Sequence, residues 1–518
     1  MRKGSITVFL ALAFPLIVVL LFTLFESARY AGLRSVARIA GNSAADSVFA
    51  EYDRTLFDEY GVLFLDGGRN RGTIRTGDLC DRFQYFFREN VPSPGAFGGG
   101  FLSPDPESVS ITEFVTATDY NGEVFIRSVL DFYKYDVVGS IVDQVKEEWD
   151  KAQEGGSLKD GYDKNRDELK NTDWSKSVSK AGSSRIYASG KQKRSDRDLP
   201  IRRSGKDGAK EESEPIDDKK LKKEIDDSVI GKSDSVKASG WLALVIPSGT
   251  SVSGYEMDQD DAPSLVSRDE RTIDGDGFFA ETAESLGFYE YVLSHFSDYT
   301  NQAHQNGMQY EIEYVLFGKR SDTDNLKTVL NRIMWIREGM NLLYLVTSSH
   351  RSEANALAET LVGWTGNQLI VLLTEAALLS AWAYAESIVD VRALLQNKKV
   401  AFVKTDESFV LSLSGVENLL AGGGEGAKEE ETGMKYEDYL RLLLYTSDVH
   451  TSAYRVMDLM QDRMRASSPN FLMSSEIYAM EVRVDVTAKE LFTALPVSVH
   501  RALFKREYTF SETYSIVY

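Results

Sequence analysis

The sequence predicts an α+β fold in which an N-terminal transmembrane helix continues into a long helix. A mostly helical extracytoplasmic body follows, with a small sheet and a disordered internal linker. Three observations predict this fold class. An uncharged apolar run fills residues 5–25, apolar residues recur at helical spacing over much of the chain, and apolar and polar residues alternate near the C-terminus.

Changes in composition divide the 518 residues into five segments. We expect a cytoplasmic leader at 1–4, a transmembrane helix at 5–25, and a membrane-proximal stalk helix with an α+β region at 26–145. A disordered charged linker is predicted at 146–240, because this segment has few apolar residues. A mainly helical α+β domain is predicted at 241–518. The alternative is one fold shared by both ordered regions, with the linker as an insertion, since the terminal strands need partners.

The apolar run predicts a permanent membrane anchor. It carries no charge from Ser5 to Phe25, which is enough for the roughly 20 residues that a helix needs to cross a bilayer. A secretory signal has a shorter apolar region and a cleavage site between small residues, so a removed signal is the less favoured interpretation. Positive residues flank both ends of the run and leave the orientation ambiguous. We favour a cytoplasmic N-terminus, because long domains cross the membrane largely regardless of charge.

Helical spacing continues beyond the run to about residue 57. Small residues on this continuation, among them Ala31, Ala40 and Ala44, would let a partner helix approach closely. Two interpretations stay open. The helix is either a stalk that contacts other subunits or an anchor that runs into an ordinary domain helix.

The stretch GSITVFLALAFPLIVVLLFTLFESAR resembles the N-terminus of TadE/TadG-type minor pseudopilins, the small subunits of bacterial tight-adherence (Tad, Flp) pilus systems. That family pattern has basic residues, a glycine, an apolar helix with an internal proline, and then Glu-x-x-Arg. The matching positions here are Gly4, Pro15, Glu26 and Arg29. The stretch NSAADSVFAEYDRTLFDEYGVLF is also similar to large, uncharacterised TadE-like membrane proteins of Gram-positive bacteria.

The resemblance implies a site, partners and a location. A prepilin peptidase would cut between Gly4 and Ser5. The helix would contact the lipid bilayer and other pilus or pseudopilin transmembrane helices. The protein would be a single-pass component of the bacterial cell membrane, with most of the chain extracytoplasmic. Many family members carry a glutamate five residues after the glycine, and this chain has Phe9 there.

Composition excludes some classes of protein. The net charge is −20 and the pI is near 4.9, which argues against a nucleic-acid partner because such proteins present a basic face. The single cysteine, Cys80, leaves no intramolecular disulfide framework and is expected to be a small buried apolar residue.

Further elements follow from local patterns. Strands are predicted in YGVLFLDGG, SVSITEFVT, WLALVIPSG and MQYEIEYVLFGK, and a turn at Asn121-Gly122 leads into a helix. The most apolar later segment, Leu369–Ala385, holds Glu375 near its middle and is predicted to be a buried core helix rather than a second span. IYAMEVRVDVTAKELF and REYTFSETYSIVY alternate and predict the final strands.

No motif predicts catalysis, a cofactor or a metal site. The acidic loop at Asp274 starts like a calcium loop but places Phe279 where that loop needs glycine. Glu311 and Glu313 are predicted to form a solvated polar face of a strand. The resemblance implies a membrane-anchored, non-catalytic TadE-like pseudopilin or accessory subunit of a tight-adherence pilus or a related secretion assembly. The alternatives are a membrane-tethered sensor or adhesin, which binds a surface ligand, and an extracytoplasmic enzyme with a polar pocket.

Overall fold

The computed structural model describes residues 3–92, 101–133, 139–175, 216–247, 249–266, 283–302, 307–423, 429–492 and 507–518. The described helices are α1 (Lys3–Phe49), α2 (Arg54–Tyr60), α3 (Thr76–Asn90), α4 (Glu123–Phe132), α5 (Gly139–Asn171), α6 (Asp218–Asp227), α7 (Val229–Ser239), α8 (Leu242–Val245), α9 (Ala283–His295), α10 (Glu311–Phe317), α11 (Asp322–Thr347), α12 (His350–Val362), α13 (Gln368–Leu395), α14 (Val416–Leu420), α15 (Tyr436–Leu444) and α16 (Val449–Arg465). The described strands are β1 (Leu65–Asp66), β2 (Asp105–Thr116), β3 (Glu476–Lys489) and β4 (Glu507–Val517). The predicted α+β class, mostly helical with a small antiparallel sheet and a long apolar N-terminal helix, is confirmed.

The chain divides into two compact units. Unit 1 contains residues 1–135, 258–280 and 449–518, and unit 2 contains residues 136–257 and 281–448. The predicted division at 241–518 is wrong, because the last strands belong with the N-terminal region. Pairing between strands that lie hundreds of residues apart leaves no local signal in the sequence.

Unit 1 is built on an antiparallel sheet with β3 in the centre. β3 pairs with β2 from Ile477 to Thr487 and with β4 from Ala479 to Lys489, and its first two residues pair with β1. Alternate residues of β3 are buried, as the period of a strand requires. The predicted strands in YGVLFLDGG and SVSITEFVT and the two C-terminal strands are therefore confirmed.

The second half of α1 and helix α3 cover one face of this sheet. Their shared core consists mainly of small residues from α1, aromatic residues from α3 and β-branched residues from β3. Its members include Ala37, Ala40, Ala44, Val48, Phe83, Phe87, Val482, Val484 and Val486. Helix α1 ends at Phe49 and not near residue 57, because the Asp53 side chain accepts the N–H groups of Thr55 and Leu56 and so begins α2.

Unit 2 packs around α13. This helix contacts α5, α11 and α12, and 83% of its most apolar window is buried within the protein. The prediction of a buried core helix is confirmed. Glu375 is near the middle of that segment, and its Oε1 accepts a hydrogen bond from Arg351 Nε at 2.8 Å.

The linker prediction is wrong at both ends. Residues 146–171 lie in α5, where Ala152, Tyr162 and Leu169 are buried. Residues 218–239 form α6 and α7, and α6 buries Leu221 and Ile225, which are four residues apart. Few apolar residues suffice here because glycines allow close approach: a Cβ atom on Gly155 would lie 2.8 Å from the Gly339 backbone. Residues 176–215, in the middle of the predicted linker, lie outside the described residues.

Two predicted strands are helices. WLALVIPSG contains α8, and MQYEIEYVLFGK contains α10, which ends at Gly318 in the left-handed conformation, with φ 61°. Glu311 and Glu313 are 2% and 0% exposed, so the expected solvated face is wrong. Their carboxylates accept the backbone N–H groups of Ser297 and Tyr299. The alternation misled because polar and apolar side chains are buried alike.

Two further local predictions have different outcomes. A turn at Asn121-Gly122 does lead into helix α4, with both residues at positive φ. Cys80 is only half-buried, and burial raises the pKa of its thiol, which keeps it protonated.

Candidate functional site

The first half of α1 is an exposed apolar helix. Its large side chains from Val8 to Phe25 are mostly half-exposed or more, and the helix is long and apolar enough to cross a membrane. Pro15 lies inside the helix and is exposed, and Gly4 and Ser5 belong to its first turns. Exposed apolar surface of this extent is unfavourable in water, at about 25 cal/mol per Å². This half of α1 is therefore suited to a lipid environment.

A buried ion pair lies where the exposed half of α1 ends. Arg29 Nη1 is 2.7 Å from Glu26 Oε1, and each side chain is 2% exposed. The Oε2 atom of Glu26 accepts the backbone N–H groups of Leu491 at 3.2 Å and Phe492 at 2.6 Å. This carboxylate thus holds the segment that follows β3 against α1.

Arg29 binds two further segments of unit 1. Its Nε donates to the carbonyl oxygen of Phe101 at 2.7 Å, and its Nη1 donates to that of Lys489 at 2.9 Å. The Glu26–Arg29 pair therefore binds four backbone groups of unit 1. The Glu-x-x-Arg spacing places both side chains on one face of the helix. The sequence carries no signal for their partners, which lie 72 to 466 residues away.

The small residues of α1 are divided between the interior and the surface. Ala40 and Ala44 are 0% exposed and pack inside unit 1, whereas Ala31 is exposed. Gly41 lies against Tyr514, and a Cβ atom there would come within 2.0 Å of the tyrosine ring. The small residues do allow a close approach to the helix, but the element that approaches is strand β4 of the same chain. The expectation that Ala40 and Ala44 meet a partner helix is therefore wrong.

Strand β4 runs alongside the second half of α1 in the same direction. Tyr30 contacts Tyr508 at 5.1 Å between ring centroids near the start, and Phe49 contacts Tyr518 at 4.7 Å near the end. Between them, the Tyr514 hydroxyl donates to the carbonyl oxygen of Ala37 at 2.8 Å. These contacts fix the helix on the sheet along several turns.

A charged cleft lies in unit 2 between α5, α7, α11 and α13. Its volume is about 480 Å³. Its charged residues are mutually paired: Lys159 contacts Asp163 at 2.6 Å, and Lys237 contacts Glu338 at 2.7 Å. Aromatic side chains also line it, namely Trp241, Trp335 and Tyr384.

Tyr384 places a buried polar group in this cleft that the ion pairs do not satisfy. Its side chain is 3% exposed, and within the described residues its hydroxyl has no hydrogen-bond partner. Burial raises the pKa of this hydroxyl, so it stays protonated. The Lys237 ammonium lies 4.4 Å from the centroid of its ring. An acceptor from a ligand could satisfy the hydroxyl.

A second charged cluster is fully buried in unit 2. Arg337 Nη2 is 2.8 Å from Asp390, and Lys404 Nζ is 2.7 Å from Asp390 and 2.8 Å from Glu386. Burial raises the pKa of Asp390, but Arg337 and Lys404 outweigh it, and the pKa ends below its ordinary value. Two positive and two negative charges balance, so the cluster supports the fold and leaves no unpaired charge for chemistry.

Among the described residues, no group of histidine, cysteine, aspartate and glutamate side chains is arranged to hold a metal ion. The calcium-like loop at Asp274 lies outside those residues. The donors present in the described part of the chain are thus arranged for internal pairing.

Residues 219–488, more than half of the chain, match a family of unknown function, DUF5702. The chain belongs to the DUF5702 family. No curated protein and no solved structure matches it. The DUF5702 match begins inside α6 and ends inside β3, so it contains neither α1 nor β4.

The DUF5702 match divides the cleft and does not contain the Glu26–Arg29 site. Lys237, Glu338 and Tyr384 of the cleft lie inside it, whereas Lys159 and Arg166 precede it. The Glu26–Arg29 pair lies outside it, and its acceptor Lys489 is the residue immediately after its end. Family membership therefore assigns no role to the anchor.

Proposed function

We propose that this protein is a membrane-anchored, non-catalytic TadE-like pseudopilin or accessory subunit of a tight-adherence pilus or a related secretion assembly. One observation carries the proposal. A single unbroken helix, α1, is an exposed apolar segment in its first half and the central helix of a sheet-bearing unit in its second half. Most of the protein would lie outside the bacterial cell membrane, and its partners would be lipid and other transmembrane helices.

Two features of α1 support this proposal and narrow it. Within the described part of the chain, most of the large apolar side chains before Glu26 are exposed. The residues after it are occupied by the chain's own sheet, as Ala40 and Ala44 illustrate. Contacts with other subunits are therefore expected on the apolar half and around Ala31, and not on the second half.

The first test is the N-terminal sequence and the membrane retention of the mature protein in its native cell. A start at Ser5 with retention in the membrane is expected, because Gly4 matches the cleavage position of the resembled family. Gly4→Leu is expected to block cleavage and leave the start at Met1, with Phe9→Leu as the matched control. Release of a chain that begins beyond Glu26 would contradict the proposal, since the segment would then be a removed signal.

The cleft favours a second candidate, a membrane-tethered sensor or adhesin that binds a surface ligand. The specific observation is the unpartnered hydroxyl of Tyr384. Photo-crosslinking residues at Ile17 and Ala31 separate the two candidates. Crosslinks to other small transmembrane subunits are expected for a pseudopilin, and crosslinks to lipid alone favour the tethered binding protein.

A further inference from the structure

Three apolar side chains of unit 1 lie beside α1 at the level where its exposed half ends. The Phe492 ring lies 5.8 Å from Phe25 and 5.7 Å from Phe101, measured between ring centroids. Phe101 is 49% exposed and the neighbouring Leu491 is 40% exposed. We call Phe101, Leu491 and Phe492 the collar. The collar continues the apolar surface of the helix onto the sheet-bearing unit.

Three polar backbone groups of the collar are paired with side chains of α1. The N–H groups of Leu491 and Phe492 are bound by Glu26, and the carbonyl oxygen of Phe101 is bound by Arg29. An unpaired backbone group costs several kcal/mol in hydrocarbon, which is why irregular chain is normally kept out of lipid. The buried Glu26–Arg29 pair removes that cost for these three groups.

The aromatic residues change in character along α1. Phe22 and Phe25 accompany the collar, and Tyr30 pairs with Tyr508 one to two turns later. The rise from Phe25 to Tyr30 is about 8 Å. Phenylalanine is suited to the acyl region, and tyrosine is enriched at the level of the headgroups. This order matches the polarity gradient at the surface of a bilayer.

We propose that the collar inserts into the lipid bilayer at the boundary between acyl chains and headgroups and seats unit 1 directly on the membrane. The occupant of this surface is lipid, because the collar is continuous with the apolar half of α1. The inference rests on the membrane span of the proposed function. It adds a second lipid contact, made by side chains that lie 72 residues along the chain from Arg29 and 465 residues from Glu26.

The test uses the full-length protein with Cys80→Ala in phosphatidylcholine vesicles. Single cysteines replace Phe101, Leu491, Ile17 or Tyr85 and carry a spin label. Collision rates with oxygen, which partitions into lipid, are compared with those of a water-soluble nickel complex. Tyr85 is the matched control, because it is an exposed aromatic residue beside Arg82, which pairs with Glu51 just beyond the far end of α1.

The ratio of oxygen to nickel collisions is expected to be highest at Ile17, several-fold lower at the collar positions, and lowest at Tyr85. Equal ratios at Phe101, Leu491 and Tyr85, with Ile17 still in lipid, would overturn the collar and leave the span intact. If both reagents are excluded from the collar positions, the proposed lipid contact is wrong and a protein partner covers the collar. A nickel-accessible Ile17 would overturn the span and with it the proposed function.

A second measurement needs no substitution. The unaltered protein in vesicles is labelled with a phospholipid that carries a photoreactive diazirine on an acyl chain, and the labelled peptides are mapped. Label on the peptides that contain Phe101 and Leu491, as well as on residues 7–25, supports the collar. Label confined to residues 7–25 would overturn it.

Discussion

Buried charged residues of this protein differ in how their charge is compensated. The Glu26–Arg29 pair binds backbone groups, and the Arg337–Asp390 pair is neutralised within a balanced cluster. Glu313 has no positively charged partner among the described residues: burial raises its pKa to about 8, although the Tyr299 N–H and the Tyr436 hydroxyl both donate to it. The carboxyl group is thus mostly protonated in the folded protein at neutral pH.

Glu313 is expected to make folding depend on pH. An unfolded glutamate ionises near its ordinary pKa of about 4.3, whereas the folded carboxyl holds its proton until about pH 8. The unfolded state therefore binds fewer protons between these values, and the free energy of unfolding falls as pH rises, by at most about 1.4 kcal/mol per pH unit. Calorimetric melting at pH 5, 6.5 and 8 measures this.

Glu313→Gln should make the decline from pH 5 to pH 8 shallower, because the amide keeps an oxygen for Tyr436 and carries no charge. Glu359→Gln, at an exposed position of α12, should leave the decline unchanged. An equal decline in Glu313→Gln and the wild-type protein would show that Glu313 is ionised in the fold.

The Glu26–Arg29 pair should be strongly coupled. Glu26→Ala or Arg29→Ala alone leaves a buried charge without its partner, so each should lower the free energy of unfolding by about 3–5 kcal/mol. The double variant should lose less than the sum of the two. Urea unfolding in detergent measures the cycle. Arg38→Ala should cost at most about 1 kcal/mol, because its side chain is 64% exposed.

At the scale of elements, the contact between α1 and β4 determines where the helix can be substituted. Tyr30 and Phe49 of the helix contact aromatic residues of β4, and between them small residues let the strand approach closely. Gly41 is the closest point, since the Tyr514 ring occupies the space of a Cβ atom. Tyr514 is also held by Phe83 of α3, at 5.8 Å between ring centroids, and cannot move away freely.

Gly41→Ala should destabilise unit 1 by about 1–3 kcal/mol through overpacking, despite the higher helix propensity of alanine. The matched control is Gly77→Ala in α3, where a Cβ atom would meet nothing within 4 Å. That variant should be neutral or up to about 1 kcal/mol more stable. Thermal unfolding followed by circular dichroism compares the two. A neutral Gly41→Ala would mean that α1 and β4 are farther apart.

The sequence predicts correctly those elements in which the pattern of burial is regular along the whole element. The apolar half of α1, the buried helix α13 and the alternating strands β3 and β4 have this property. Residues 146–171 and 311–317 do not, because charged side chains in α5 and α10 are buried with partners from distant segments. The Glu-x-x-Arg pattern was visible in the sequence, but its four backbone acceptors and donors were not.

At the scale of the whole molecule, α1 belongs to two environments. Its residues up to Phe25 contribute little to the core, and those from Leu33 onward are part of it. A truncation after Phe25 would therefore remove the apolar segment and keep the core. A truncation beyond Leu33 would remove part of the core.

Removal of residues 1–25 should give a protein that stays folded and monodisperse in buffer without detergent, because the exposed apolar side chains are lost. Removal of residues 1–45 should unfold the sheet of unit 1, because Ala37, Ala40 and Ala44 line its core. Size-exclusion chromatography and circular dichroism measure both. Aggregation of the shorter deletion would show that residues before Glu26 contribute to folding.

Because α1 is unbroken, it also fixes how its apolar half is rotated about the helix axis relative to the sheet of unit 1. No hinge separates the two halves, so unit 1 and the apolar segment rotate about the helix axis as one piece. The orientation of the sheet therefore determines which face of the apolar half meets a neighbouring subunit. One residue inserted between Phe25 and Glu26 would turn the apolar half by about 100° relative to unit 1. Four inserted residues would nearly restore the original direction.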